Sequence, residues 1–332
     1  MLNFFQSVMN PEWYHGHTHS APFFESWTYK LVSANQDAVY AIIPGVFMNV
    51  GGSNNHAYVQ VLDGITGEST YFRMGSFEAE PNGFDLRMDK CSFSADALSL
   101  NIDNEFGSAQ GNLSFGNLKP WPTTLFSPGA MGKTGWLPNM KYRHSVLSFD
   151  HIIDGELTLN GKTVDFSGGH GYLKNEWGVT YPKASVWMQC NNFDMPETSL
   201  SGVAYVAPTP FDSEFAAFSV GLRHDNQLFT FGNYNGAKVA RFDVTDSSVD
   251  WVLYTNKHEL TIKATRPDTG LITVAGSDDM DREVGLSLQA EYEFQINALD
   301  GVRNMPLFSG KGTLGALQID QLAALIKRLP TE

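Results

Sequence analysis

Short apolar or alternating runs recur along the chain. They are Trp27–Val32, Ala38–Ile43, Ala57–Leu62, Ala97–Ile102, Leu157–Leu159, Val186–Phe193, Phe215–Leu222, Lys238–Val244, Glu259–Ala264 and Leu286–Ile296. Asx-Gly pairs punctuate them at Asp63-Gly64, Asn82-Gly83, Asp154-Gly155, Asn160-Gly161, Asn235-Gly236 and Asp300-Gly301. Asn or Asp before Gly suits a type I′ turn, because both positions accept positive φ. Runs of this length and spacing predict an all-β meander, sandwich or barrel. Only Ile319–Leu329 carries a helical period, with Leu322, Leu325, Ile326 and Leu329 at i, i+3, i+4 and i+7. Lys119–Asn139 contains Pro120, Pro122, Pro128 and Pro138 and reads as a long loop, either a linker or a lid. So many strands predict two β-domains, 1–165 and 166–332.

Composition sharpens this picture. The 332 residues are enough for two cores, and 42% hydrophobic against 17% charged residues argues against disorder. Aromatics at 13% and 31 glycines favour a β-rich fold with apolar interior space. Lys plus Arg is 22 against 36 for Asp plus Glu, a net charge of -14, and no Lys/Arg run occurs. That excludes a phosphate-backbone binder and a polybasic membrane binder. Cys91 and Cys190 cannot make a disulfide framework, though one bridge between them stays open, and no Cys-x-x-Cys zinc spacing exists. With no basic-then-apolar leader and no run of 18 apolar residues, a cytoplasmic protein without an integral membrane segment is expected. Transient membrane contact stays open.

Several motif-like stretches carry little. Gly310-Lys-Gly312-Thr-Leu-Gly315 matches a dinucleotide fingerprint in letters, but the chain has no room for the strand and acidic residue that should follow, so a glycine-rich turn is expected. Gly129–Thr134 lacks the first glycine of a phosphate loop. His15, His17 and His19 would share a face of an extended chain as a metal triad, or lie unlinked in a loop; no fourth ligand is announced, and no metal is assigned. No Gly-x-Ser-x-Gly elbow occurs.

Three segments carry more chemistry. In Phe23–Leu31, period two puts Glu25, Trp27, Tyr29 and Leu31 on one face, either at a rim or in a pocket. In His144–Asp165, two hairpin turns are expected, and His144 and His151, seven apart, fall on opposite faces of an unbroken strand. The third runs from Gly168 through Tyr172, Lys174, Asn175, Glu176 and Trp177 to Phe193. Its last strand places Trp187, Gln189, Asn191 and Phe193 together, aromatic and amide side chains that suit a mostly apolar ligand with one polar end.

These segments resemble the tocopherol cyclase family. The resemblance rests on Phe23-Phe24-Glu25-Ser26-Trp27-Thr28-Tyr29-Lys30, on His144, Ser148 and His151, and on Gly171-Tyr172-Leu173-Lys174-Asn175-Glu176-Trp177-Gly178. Tyr181-Pro182 and Trp187-Met188-Gln189-Cys190-Asn191 complete it. Departures occur: Lys174 stands where the family has Glu, Asn175 where it has Lys, Ser185 where it has Trp, and Ser26 replaces a Gly. Glu176 keeps a carboxylate two positions along.

The resemblance implies two lipocalin-like antiparallel β-barrels, related to carotenoid hydratase-like proteins, with a short C-terminal helix. It implies a cofactor-independent isomerase that closes a ring on a prenylated hydroquinone or related terpenoid. A carboxyl with a burial-raised pKa would protonate the alkene, and the phenol oxygen would trap the cation. Glu176 or Glu25 is the candidate acid, and His151 or Tyr172 the base. Trp27, Tyr29, His144, Lys174, Trp177, Trp187, Gln189 and Asn191 are the candidate substrate-binding residues. Two other readings stay open: a non-catalytic carrier of a hydrophobic isoprenoid, and a hydratase that adds water to the cation.

Overall fold

A computed structural model describes residues 2–138, 140–208, 214–267, 269–276, 279–300, 304–326 and 329. A short helix, α1 (Leu2–Met9), precedes the strands. In chain order these are β1 Phe23–Val32, β2 Val39–Met48, β3 His56–Asp63, β4 Ser69–Met74, β5 Glu78–Ala79, β6 Asp85–Met88, β7 Cys91–Ser94, β8 Ala97–Asn104, β9 Gly107–Gly116, β10 Thr123–Thr124, β11 Ser127–Pro128 and β12 Tyr142–Leu159. They continue as β13 Lys162–Asp165, β14 His170–Gly178, β15 Ser185–Cys190, β16 Thr198–Pro208, β17 Glu214–His224, β18 Gln227–Gly232, β19 Lys238–Val244, β20 Ser248–Tyr254, β21 His258–Thr265, β22 Gly270–Val274, β23 Arg282–Leu299 and β24 Asn304–Asp320. Helix α2 (Leu322–Ile326) follows.

Two compact units result. The first comprises Met1–Gly129, Tyr142–Tyr181 and Gly270–Glu283; the second comprises Ala130–Lys141, Pro182–Thr269 and Val284–Glu332. The first unit's sheet runs β4-β3-β2-β1-β14-β12-β9-β8-β7-β6-β5, with β13 beside β12. The second unit's sheet runs β18-β17-β16-β15-β24-β23-β21-β20-β19. The pairings are antiparallel, as the turn-rich, alternating sequence predicts. Each unit has its own core: Trp27, Tyr29, Phe72 and Phe93 lie in the first, Trp251, Tyr292, Phe218 and Phe242 in the second.

Two kinds of strand occur, and the distinction locates the chemistry. In β8 burial alternates, so Leu98, Leu100 and Ile102 face the core while the other side meets water. In β1, β14 and β15 nearly every residue is buried, on both faces. Side chains on the face away from the core are therefore covered as well, so the polar ones there must find partners. The first unit's outer face gains part of its cover from β22, where the Gln60 amide bonds the Thr273 carbonyl and N–H, both at 2.8 Å.

Several local expectations change. Asn160-Gly161 is a true turn, with φ of 48° and 81°, joining β12 to β13. Asp154-Gly155 is not: β12 runs straight through it, passing from β14 to β9. A Cβ at Gly155 would lie 2.3 Å from the Asn112 carbonyl oxygen, so glycine is needed for close backbone approach and not for a reversal. Gly310, Gly312 and Gly315 lie inside β24, not in a turn. They make room for the rings of Phe294, Phe193 and Tyr292 respectively. Ile319 lies inside β24, so the C-terminal helix begins only at Leu322, and Leu325 and Leu329 pack into the second core. Residues 327, 328 and Gly301 of the expected helix and turn, and Asn139 of the expected loop, lie outside the described residues.

The segment from Lys119 is a linker. Its first part packs on the first unit, Trp121 stacking on Phe149 at 5.3 Å. Its later part, a 3-10 stretch Gly129–Trp136, packs on the second, where the Ser219 hydroxyl donates to the Ala130 carbonyl at 2.5 Å and Gly132 lies under the Tyr234 ring. Cys91 and Cys190 are buried free thiols.

Candidate functional site

β1, β14 and β12 lie side by side at the centre of the first sheet, and their register decides which residues meet. Directly opposite residues share a face. Glu25 is opposite Trp177, and Trp27 opposite Asn175; Ser26 is opposite Glu176, and Thr28 opposite Lys174. On β12, Arg143 and Ser145 join the first group, and His144 joins the second. Trp27, Tyr29 and Trp177 belong to the unit's apolar core, so the first group faces inward and the second outward. The two candidate carboxylates are thus held on opposite sides of one sheet.

The outward face carries a row in register across six strands: Arg73 on β4, Tyr58 on β3, Gly45 on β2, Ser26 on β1, Glu176 on β14 and His144 on β12. The two small residues matter. A Cβ at Gly45 would lie 2.4 Å from the Tyr58 hydroxyl oxygen, so Tyr58 lies across Gly45 towards Ser26. Its phenol is pushed up by burial first and then by the Glu176 charge, against a lowering by the Ser26 hydroxyl. Stacking on Tyr71, 5.0 Å between centroids, steadies the ring, and Tyr71 in turn bonds His56 Nε2 at 2.6 Å.

Glu176 is the hub. Tyr142 donates its hydroxyl to Oε2 at 2.7 Å, and Lys174 Nζ donates to the same oxygen at 3.2 Å. Both ends of the Lys174–Glu176 ion pair are 8% exposed, too buried to be a solvent-screened surface pair. Period two explains the pairing: residues two apart in β14 point the same way. Lys174 and Glu176 thus lie on one face and in contact. His144 is held neutral, its pKa lowered by burial and then by the Lys174 charge. Tyr172, fully buried, lies on this face opposite Lys30.

The inward face is organised around Glu25, which is fully buried. His15 donates its backbone N–H to Oε2 at 2.8 Å, and its ring Nδ1 bonds Oε1 at 2.7 Å. The same ring stacks on Trp177, 3.9 Å between centroids and 4° between planes. Asn175 Nδ2 reaches Oε1 at 3.4 Å. Tyr29 gives its hydroxyl to the Ser94 carbonyl at 2.7 Å and packs against Phe84, Phe93 and Phe115. His151 also points inward, lying over Gly171 beside Phe115; burial pushes its pKa down to about 4. It reaches the face opposite His144 through two bulges in β12, not along an unbroken strand.

The histidine triad does not form. His15–His19 includes a 3-10 turn, Gly16–Thr18, and the three rings go to different partners: His15 to Glu25, His17 edge-on to Tyr14, and His19 to the His15 carbonyl and the Phe23 ring.

Trp187, Gln189 and Asn191 belong to the second unit. Val186, Met188 and Cys190 enter its core, so Trp187 and Gln189 point away from it. The Gln189 amide donates to Asn191 at 3.0 Å. Phe193 does not share their face: β15 ends at Cys190, the alternation lapses, and Phe193 packs against the core instead.

The outward face therefore gathers Glu176, Lys174, His144 and Tyr172. The inward face gathers Glu25, Trp27, Tyr29, Trp177 and His151. Tyr142, Tyr58 and His15 complete these clusters without having been singled out as partners. Tyr142 was within reach of the sequence, since it stands two residues before His144 on the same strand. Tyr58 carries no local signal, because three strand pairings bring it to Glu176.

The profile of the tocopherol cyclase-like family matches residues 128–319. No curated protein matches the chain significantly. Among solved structures, CghA with Sch210972 aligns at a TM-score of 0.56 and 9% identity, over 90% of this chain and 88% of that one. An AttH-type protein from Nitrosomonas europaea gives 0.50 and 13%, over 89% and 91%. Kievitone hydratase from Nectria haematococca gives 0.46 and 14%, over 89% and 88%. At these identities the likeness to CghA and the AttH-type protein is one of fold, an all-β architecture of lipocalin-like type.

Proposed function

The chain belongs to the tocopherol cyclase-like family, and on that premise we propose that it is an enzyme of proton-initiated ring closure, acting on a prenylated hydroquinone or a related terpenoid. The observation that carries the proposal is the buried hub at Glu176, where one carboxylate oxygen receives both Tyr142 and Lys174.

Tyr142 and Lys174 both bond Oε2, and Oε1 is the oxygen that takes up a proton and delivers it to the alkene. As the proton leaves, the negative charge falls on a carboxylate already held by a phenol and an ammonium, which lowers the cost of ionisation. One C–H bond forms at the alkene, and a tertiary cation results. The substrate's phenol oxygen then forms the new C–O bond and loses its proton. His144, neutral and opposite Glu176, is the group that accepts it, with Tyr172 on the same face as the other base. Returning that proton to Glu176 closes the cycle with no net change in atoms or electrons. Tyr58 and Tyr142 stand next to the hub, where an aromatic ring turned towards the substrate stabilises a cation by its quadrupole. Glu25, bonded on both oxygens to His15, serves as an anchor of the N-terminal segment and not as the acid.

The test is incubation with a prenylated hydroquinone in deuterated water. A chromanol with one carbon-bound deuterium is expected, and Glu176→Gln should slow its formation by about 10²–10⁴-fold, the usual worth of a general acid. Substrate recovered unlabelled and tightly bound would point to a carrier instead. A product heavier by one water would point to a hydratase.

A further inference from the structure

The inward face holds polar atoms that the Glu176 hub does not use. Trp27, Asn175 and Ser145 stand directly opposite one another on β1, β14 and β12, and Trp177 is the next inward residue along β14. Trp27 Nε1, Asn175 Oδ1, Ser145 Oγ and Trp177 Nε1 are all buried and have no hydrogen-bond partner among the described residues. A buried polar atom left unpaired costs about 1–3 kcal/mol, so four cost on the order of 4–12 kcal/mol. That rivals the whole stability of an ordinary domain, roughly 5–15 kcal/mol. Four such atoms in adjacent register positions therefore mark a place built to be partnered.

We propose that this row is a second ligand site, which takes the polar head of a small neutral molecule bearing both a carbonyl and a hydroxyl group. The donors and acceptors set the class. Indole N–H groups only donate, so Trp27 and Trp177 ask for an acceptor such as a carbonyl oxygen. Asn175 gives its NH₂ towards Glu25 Oε1, which orients the amide and leaves Oδ1 as an acceptor that asks for a hydroxyl. Glu25 is thus a positioning residue for this site. The row itself is uncharged. Of the charged groups beside it, Glu25 is paired with His15, and the Arg143 guanidinium lies over the Phe4 ring at 5.5 Å. The four unpaired atoms are all neutral donors or acceptors, so they ask for a neutral polar head.

An apolar wall and a neighbouring pocket are also present. Phe84 stacks on Trp27 at 5.5 Å. A pocket of about 300 Å³, lined in part by Tyr14, His15, His17, Pro81 and Asn82, lies on the far side of Tyr14 and His15 from the row. It is of the size of a small-molecule site. Its Tyr14 ring lies 6.4 Å from Trp27, and its His15 ring stacks on Trp177. Those two side chains form the wall that the pocket shares with the row.

The test titrates the intact, ¹⁵N-labelled protein with 4-hydroxyacetophenone at pH 6, where the phenol is neutral. The indole N–H signals of Trp27 and Trp177, assigned with Trp27→Phe and Trp177→Phe, are expected to move saturably. That of Trp251, buried in the second unit and also unbonded, is expected to stay. Acetophenone, which lacks the hydroxyl, should bind about tenfold more weakly, because Asn175 Oδ1 stays unpaired. Unmoved indoles at millimolar probe would assign the row to ordered water and overturn the proposal, and so would equal affinity for the two ketones. Both comparisons use the wild-type protein, and if one variant fails to fold, the other still assigns its own indole, whose movement decides the outcome. The outcome is independent of whether the Glu176 hub turns over a substrate.

Discussion

Replacing His15 by alanine removes an imidazole whose Nε2 meets the Ser7 carbonyl at 3.3 Å and which makes two further contacts. It bonds the Glu25 carboxylate at 2.7 Å, and it stacks at 3.9 Å on Trp177. A hydrogen bond to a charged group contributes about 1.5–3 kcal/mol, and a stacked aromatic pair about 0.5–1.5 kcal/mol. The backbone N–H of residue 15 survives the substitution, so Glu25 keeps that bond and the longer one from Asn175 at 3.4 Å. The expected loss is then about 3 kcal/mol, near the middle of the summed range. Urea unfolding followed by tryptophan fluorescence gives the loss directly. A double-mutant cycle with Glu25→Gln isolates the pair, and coupling of at least about 1 kcal/mol is expected. A loss under about 1 kcal/mol, or additive single mutants, would refute the reasoning, since a fully buried carboxylate would then be satisfied without the ring.

Three other outcomes follow from the same geometry. His151 stays unprotonated when folded down to pH about 4, whereas an unfolded histidine takes its proton near 6.5. The unfolded chain therefore binds more protons in that window, and stability should fall by about 3 kcal/mol as pH drops from 6.5 to 4. Urea titrations across pH should show a shallower slope in His151→Leu. Gly45→Ala puts a Cβ 2.4 Å from the Tyr58 hydroxyl. It should displace that ring and cut turnover while the far-ultraviolet circular dichroism is unchanged; wild-type turnover would remove Tyr58 from the site. Tyr142→Phe deletes the 2.7 Å bond to Glu176. It should lower kcat by about 10–100-fold, the worth of one bond to a charged group, with KM little changed.

The β class was legible because period two and Asx-Gly turns are local. Asn160-Gly161 turned where it was expected to, with both φ values positive. Asp154-Gly155 misled because glycine also serves a strand that needs a neighbouring backbone close by, and the letters of the two uses are the same. The residues of the candidate site were legible in kind. Glu25, Trp27, His151 and Trp177 were all picked from one chain of motifs, as were Lys174, Glu176 and His144. Their division into two sites was not.

That division rests on long-range register. Period two fixes which residues of β14 share a face, so Lys174 with Glu176 follows from sequence alone. Which face meets Ser26 and Tyr58, and which meets Glu25 and His15, depends on how β1, β2, β3 and β12 slide against β14. A slip of one residue would exchange the two sets. The side chains that fix the register are the apolar ones packed in the core, Trp27, Tyr29, Leu173 and Trp177 among them. Their packing energy is summed over the whole unit and is invisible in any short window. Sequence alone thus set the strand chemistry, the family resemblance and the candidate carboxylates. Tertiary packing alone decided that one carboxylate anchors the N-terminal segment while the other, across the sheet, gathers a tyrosine and a lysine.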